Sequence, residues 1–152
     1  RPHFRTLKNS KKLLDLIKIK FGDNPNFIFE NGIIPPDVFH RSLCMISDWS
    51  GISLEYAFTF VRPIIFIDVP KKNLNPNVKD ISSEPIEKSI RNKIGYVFSP
   101  TNLEDIPNII KNLNKTKSFN KQIQETRSKT VYNIGKSAKV GAEYIYALNN
   151  SL

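Results

Sequence analysis

The residues best suited to chemistry lie in one heptapeptide, Ser47-Asp48-Trp49-Ser50-Gly51-Ile52-Ser53, where an apolar strand-like run gives way to a helical pattern. Ser50 can cap that helix, which leaves the amides of Gly51, Ile52 and Ser53 at its positive end without intrahelical partners. A helix start of this kind accepts a phosphate, and Gly51 carries no side chain to block its approach. The hydroxyls of Ser50 and Ser53 can add bonds to the same anion. On spacing alone, an anion cradle and a plainly capped buried helix are served equally. Glu55 follows about one turn in, amid Ile52, Leu54, Tyr56, Ala57 and Phe58. A carboxylate in such apolar company needs a partner, because burying it bare is costly or shifts its pKa. A ribose diol would serve, and so would a lysine.

Other reactive side chains are few. His3 and His40 are the only histidines, and neither stands at metal-ligand spacing from Cys44 or a carboxylate, which argues against a zinc site. Cys44 falls inside an apolar run and reads as core. No GxSxG nucleophile motif is present, nor a GxGxxG dinucleotide fingerprint or a phosphate-binding P-loop. Trp49 can stack on a base or simply pack beside the helix start.

The elements that must position these groups alternate between strand and helix. Ser10 can cap a helix in which Leu13, Leu14, Ile17 and Phe21 share a face, ended by Gly22. Asn26–Glu30 reads as a short buried strand, and Pro35-Pro36-Asp37 as the start of a brief helical turn. Leu43–Ser47 is a second strand, Gly51 to about Phe60 a helix, and Pro63–Val69 the strongest strand. Lys71–Asp80 is a polar loop. Ser83 is placed to cap a helix that begins at Glu84-Pro85 and closes at Gly95, and Tyr96-Val97-Phe98 is an edge-strand candidate. Thr101-Asn102-Leu103-Glu104 has the form of a capping box for a helix reaching about Asn114. Ser118 starts another helix, interrupted by Gly135 before a last one holding Val140, Tyr144, Ile145 and Leu148.

Short apolar strands separated by helices imply parallel pairing, since a parallel crossover needs a helix-length connection. The expected fold is therefore α/β: a Rossmann-like, doubly wound parallel sheet with a helical C-terminal tail, forming one domain over residues 1–152. In such sheets ligands bind beyond the carboxyl ends of the strands. If residues 1–3 end a strand, His3 joins Glu30 and Asn31, Ser47 and Asp48, and Asp68 to Lys72 along one rim.

The 152 residues carry 23 Lys and Arg against 14 Asp and Glu, a formal charge of +9. The surplus favours an anionic partner, although lysines scattered this evenly also describe a solvated surface. With one cysteine, a disulfide-stapled secreted scaffold is excluded, and the longest apolar run, Ile64–Ile67, is far too short for a membrane helix. Basic residues are not interleaved with aromatics as in nucleic-acid modules, so no nucleic-acid partner is expected. Arg1-Pro2-His3 resembles neither an initiator nor a signal segment, and the chain reads as a fragment of a longer protein.

Three segments, following Arg1-Pro2-His3 in order, carry a family likeness: ISDWSGISLEYAF at 46–58, RPIIFID at 62–68 and PKKNLNP at 70–76. Together they resemble the C-terminal domain of CDP-glycerol glycerophosphotransferases, the teichoic-acid polymerase and capsule-synthesis family of bacteria. The likeness runs nearly the whole chain but is strong over about residues 43–77. It implies the donor-binding half of a glycosyltransferase-B architecture, which passes glycerol phosphate or ribitol phosphate from a CDP-alcohol to a cell-surface polymer. By resemblance, His3 matches a histidine that helps bind the donor pyrophosphate and acts in catalysis, although Phe4 stands where the family has proline. Ser50 and Ser53 match serines near the diphosphate, Asp48 the aspartate before them, and Glu55 an acidic position suited to the ribose. The remaining substrate-binding candidates are Gly51, Ile52, Glu30, Asn31 and Lys71; Lys71 and Lys72 either assist from their loop or are simply solvated. No metal or cofactor is implied. The acceptor would be reached through an N-terminal domain outside these residues, and the location implied is cytoplasmic, peripheral on the inner face of the membrane. Two alternatives stay open: a donor domain for another nucleotide diphosphate, such as a UDP- or GDP-sugar, and a non-catalytic basic module that docks on an anionic surface.

Overall fold

A computed structural model describes residues 1–32, 35–70, 84–113 and 118–150. It divides into two compact units, Arg1–His40 and Arg41–Leu152.

The first unit is helical. Helix α1 spans Phe4–Asn9, α2 spans Lys11–Phe21 and α3 starts at Pro36 and ends at Arg41, across the boundary. Ser10 lies at the junction of α1 and α2 but makes no side-chain cap; its amide instead bonds the Thr6 carbonyl, so α2 follows directly on α1. Residues 26–30 do not form the expected strand. The reason lies in the alternation itself. Phe27 turns back onto Phe21, with ring centroids 5.5 Å apart, and Phe29 lies under the Lys18 ammonium at 4.7 Å. Both aromatics of one period-two face are thus taken up by α2, while Ile28 between them is 83% exposed. An Asx turn at Asn24, whose side chain accepts from the Asn26 amide, starts this return. Residues 1–3 are likewise not in a strand; they lead into α1.

The second unit has a mixed α/β fold around a small open sheet. Strands β1 (Met45–Ser47), β2 (Ile64–Ile67) and β3 (Gly95–Phe98) are parallel, in the order β1-β2-β3. Ile64 lies beside Met45 on one side and Gly95 on the other. The run PIIFIDV forms the central strand because hydrophobic burial favours putting the most apolar segment where both neighbours cover it. Ile64, Ile65 and Phe66 are buried there, while the edge strand β1 leaves Ile46 exposed. Helix α4 (Ile52–Phe60) joins β1 to β2 and buries Ser53, Tyr56 and Ala57. Its anchor is polar: Ser42 donates to the Tyr56 hydroxyl at 2.9 Å, and the Arg62 guanidinium donates to the Ser42 carbonyl. Val61 closes α4 in the left-handed region, at φ 52°, a conformation that costs a β-branched residue about 1–2 kcal/mol.

Between β2 and β3, the single helix expected after Pro85 is broken at Ile90 into α5 (Ile86–Ser89) and α6 (Arg91–Ile94). Ser83 lies outside the described residues, as does the loop Lys71–Asp80. Ile90 and Ile94 both point into the core. The capping box at 101–104 does not form. Thr101 instead turns onto the Ser99 hydroxyl, and α7 begins later, at Ile106–Asn112, with Pro107 in its first turn. Helix α8 (Ser118–Thr130) docks through buried Ile123, an edge contact of Phe119 on Tyr96 at 4.9 Å, and a bond from Arg127 to the Phe58 carbonyl. Gly135, at φ +74°, separates it from α9 (Ser137–Asn149). Among the described residues, no helix is long and apolar enough to cross a membrane.

Candidate functional site

The carboxyl ends of the three described strands of the second unit carry polar groups, those after β1 and β2 as the sequence leads one to expect. Ser47 and Asp48 end β1, Asp68 follows β2, and Ser99 follows β3. The Asp68 amide donates to the Phe98 carbonyl at 2.7 Å, so the ends of β2 and β3 are tied together.

Behind β1, the chain enters α4 through a tight turn rather than a serine cap. Gly51, not Ser50, is the N-cap, and no side chain caps the helix. The Ser53 amide donates to the Ser50 carbonyl at 3.1 Å, and the Ser53 hydroxyl donates to the same carbonyl at 2.7 Å. Both donors of Ser53 are therefore spent inside the turn, and the residue is 3% exposed. Only the Gly51 and Ile52 amides are left with no acceptor among the described residues. The expected three-amide cradle is thus a two-amide one, because Ser50 serves α4 through its backbone carbonyl and not its hydroxyl. An added Cβ at Gly51 would meet nothing within 4 Å, so the turn is open to solvent there.

Glu55 is exposed, which removes the reason for expecting it to need a partner; α4 buries Tyr56 and Ala57, while Ile52, one turn before Glu55, is exposed with it. Asp48 is exposed too, beside the turn. Lys71 and Lys72 lie outside the described residues. His3, Glu30 and Asn31 belong to the first unit, and none of them ends a strand. His3 is the N-cap of α1: its Nδ1 accepts from the Arg5 amide at 3.3 Å, which leaves Nε2 as the nitrogen able to carry or deliver a proton. Glu30 uses one carboxylate oxygen to accept from the Gly32 amide at 2.9 Å, and Asn31 is exposed. Cys44 is half-buried beside β1, and burial pushes its thiol above the ordinary value, as befits a packing residue and not a nucleophile. No group of three or more His, Cys, Asp or Glu suited to a metal occurs among the described residues.

A cluster that sequence reasoning missed occupies the same edge. The Arg91 guanidinium lies 3.9 Å from the ring centre of Trp49 and 4.7 Å from that of Phe66. Its Nη1 bonds the Asp68 carboxylate at 2.7 Å, while the Trp49 indole donates to the Val69 carbonyl at 2.9 Å. The arginine side chain is 6% exposed and Asp68 is 50% exposed. Arg91 Nε and Nη2 are buried with no hydrogen-bond partner. Each such orphan costs about 1–3 kcal/mol, more when the group is charged. Two desolvated rings return about 2 kcal/mol or more. The half-exposed ion pair adds about 1 kcal/mol at most, because water screens it. The cluster is held together but under-satisfied, with hydrogen-bonding capacity for an anion in reserve. Only a weak signal in the sequence marks it, an arginine set between two isoleucines of a core-facing pair, Ile90 and Ile94.

Comparison of the chain with protein-family models, with curated proteins and with solved structures gives no match in any of the three.

Proposed function

We propose that this chain is the donor-nucleotide part of a transferase that moves glycerol phosphate or ribitol phosphate from a CDP-alcohol to a cell-surface polymer. The observation that carries the proposal is the pair of unbonded amides, Gly51 and Ile52, at the start of a nine-residue helix directly behind a strand of a parallel sheet. Helix starts at this position in α/β sheets favour a diphosphate through dipole and main-chain donors together. The resemblance of residues 43–77 to CDP-glycerol glycerophosphotransferases supplies the reaction class. The finer architecture belongs to the same proposal: a doubly wound sheet forming half of a glycosyltransferase-B enzyme, peripheral on the inner membrane face.

In that reaction an acceptor hydroxyl, giving its proton to a base of the acceptor-side domain, attacks the phosphorus that bears the alcohol. The bond from that phosphorus to the bridging oxygen breaks, and CMP leaves with the electron pair. Negative charge grows on the leaving phosphate as the bond lengthens. Two fixed amides at a helix start therefore stabilise the transition state more than the bound donor. Glu55 is the ribose candidate by resemblance and Asp48 a further donor-binding candidate; both are exposed, and an exposed carboxylate can accept from a diol without a burial cost. By resemblance, His3 remains the candidate that helps bind the donor pyrophosphate.

Titration of the isotope-labelled protein with CDP, UDP and GDP tests the reading. CDP is expected to move the amide signals of Gly51 and Ile52 in a saturable manner, and more tightly than UDP or GDP. Equal response to all three would favour a donor domain for another nucleotide sugar. No response at these two amides would remove the proposal.

A further inference from the structure

We infer that Arg91 is the anion-recognising side chain of the sheet's carboxyl edge, held in reserve by Asp68, and that a diphosphate displaces Asp68 from its guanidinium. This deepens the donor reading and rests on it only for the identity of the anion.

Three observations converge. The guanidinium is nearly fully buried, yet two of its three nitrogens have no acceptor. Buried polar groups in folded proteins are otherwise almost always satisfied, and an arginine fork matches the spacing of phosphate oxygens in particular. The one acceptor it has, Asp68, is half exposed and so forms the side from which a ligand enters. The stacking ring belongs to Trp49, two residues before Gly51, so the arginine and the two unbonded amides share one edge.

The exchange needs no covalent step. A phosphate oxygen arriving at Asp68 meets Nη1 first. A turn of the guanidinium about the soft Cδ–Nε bond, beside the Trp49 and Phe66 rings, then brings Nη2 toward the same anion. Asp68 moves out into water, where half of its surface already lies. Until then it is an internal competitor, and it lowers the apparent affinity by the fraction of molecules in which it holds Arg91.

Trp49 is the single tryptophan of the chain, so its fluorescence reports on this cluster directly. The full chain is titrated with sodium pyrophosphate, and separately with CDP, at constant ionic strength. Pyrophosphate is expected to give a saturable change in Trp49 emission. Arg91→Lys, which keeps the charge but loses the fork, should weaken binding about tenfold or more. Asp68→Asn should tighten it about threefold or more. A merely structural ion pair predicts the reverse for Asp68→Asn, a less stable protein that binds no better. Unchanged or weaker pyrophosphate binding by folded Asp68→Asn overturns the inference, and that variant decides the matter if Arg91→Lys fails to fold. If CDP binds and Arg91→Lys leaves its affinity unaltered, the arginine assignment falls while the donor reading stands. If pyrophosphate binds through Arg91 and CDP binds no more tightly, the nucleotide reading falls and the arginine assignment stands.

Discussion

Replacing Gly95 by alanine is expected to cost about 3 kcal/mol or more, a large share of the roughly 5–15 kcal/mol that holds an ordinary domain folded. Gly95 opens β3 opposite Ile64, and a Cβ built on it would lie 1.9 Å from the Ile64 carbonyl oxygen and 2.7 Å from its carbon. Those atoms are backbone of the central strand, flanked by buried Ile65 and Ile94, and cannot step aside as a flexible side chain would. The backbone at Gly95 is extended, at φ 175°, so close approach and not conformational preference makes the position demand glycine. The midpoint of urea denaturation, followed by far-ultraviolet circular dichroism, measures the effect. A loss below about 1 kcal/mol would mean that β2 and β3 do not approach as closely as their register requires.

Gly51→Pro is expected to weaken CDP binding about ten- to hundredfold without unfolding the protein. Gly51 occupies the second position of a turn closed by the Ser53 amide on the Ser50 carbonyl, with φ −58° and ψ −27°. Proline fits that position of a type I turn, and a Cβ there meets nothing, so the change removes one N–H and little else. A hydrogen bond to a charged ligand contributes about 1.5–3 kcal/mol, which sets the range. Gly51→Ala keeps the N–H and serves as the control: it should fold normally and bind CDP within about threefold of the unaltered chain. Calorimetric titration of both variants measures the difference. Equal binding by all three proteins would show that the anion does not sit on this turn.

Much of the second unit was legible in the sequence because its signals are local and strong. The run PIIFIDV could hardly avoid the centre of a sheet, and the helical spacing after Gly51 and the edge-strand character of Tyr96-Val97-Phe98 required no tertiary knowledge. The misread elements are those in which a distant or competing contact decided the outcome. Asn26–Glu30 alternates like a strand, but α2 offered Phe21 and Lys18 as nearer partners for the same aromatic face. The box at Thr101–Glu104 has the right residues, yet the Ser99 hydroxyl reached Thr101 first. At the candidate site, the turn itself was visible in Ser50-Gly51, whereas its donor count was not, because Ser53 spends both donors on one carbonyl. Arg91 was invisible for a different reason. Nothing along the chain links residue 91 to Trp49 and Asp68; they meet only once β1 and β3 pair with β2 and α6 packs beside the sheet.

Helix α9 carries a consequence of its own. Each of its thirteen residues is exposed, Tyr144, Ile145 and Leu148 included, so it buries little of its surface. A stand-alone helix of this length is marginal in water, and its opening is uncoupled from that of β2. Amide protons in this last segment are therefore expected to exchange with solvent on a much faster clock than those of the central strand.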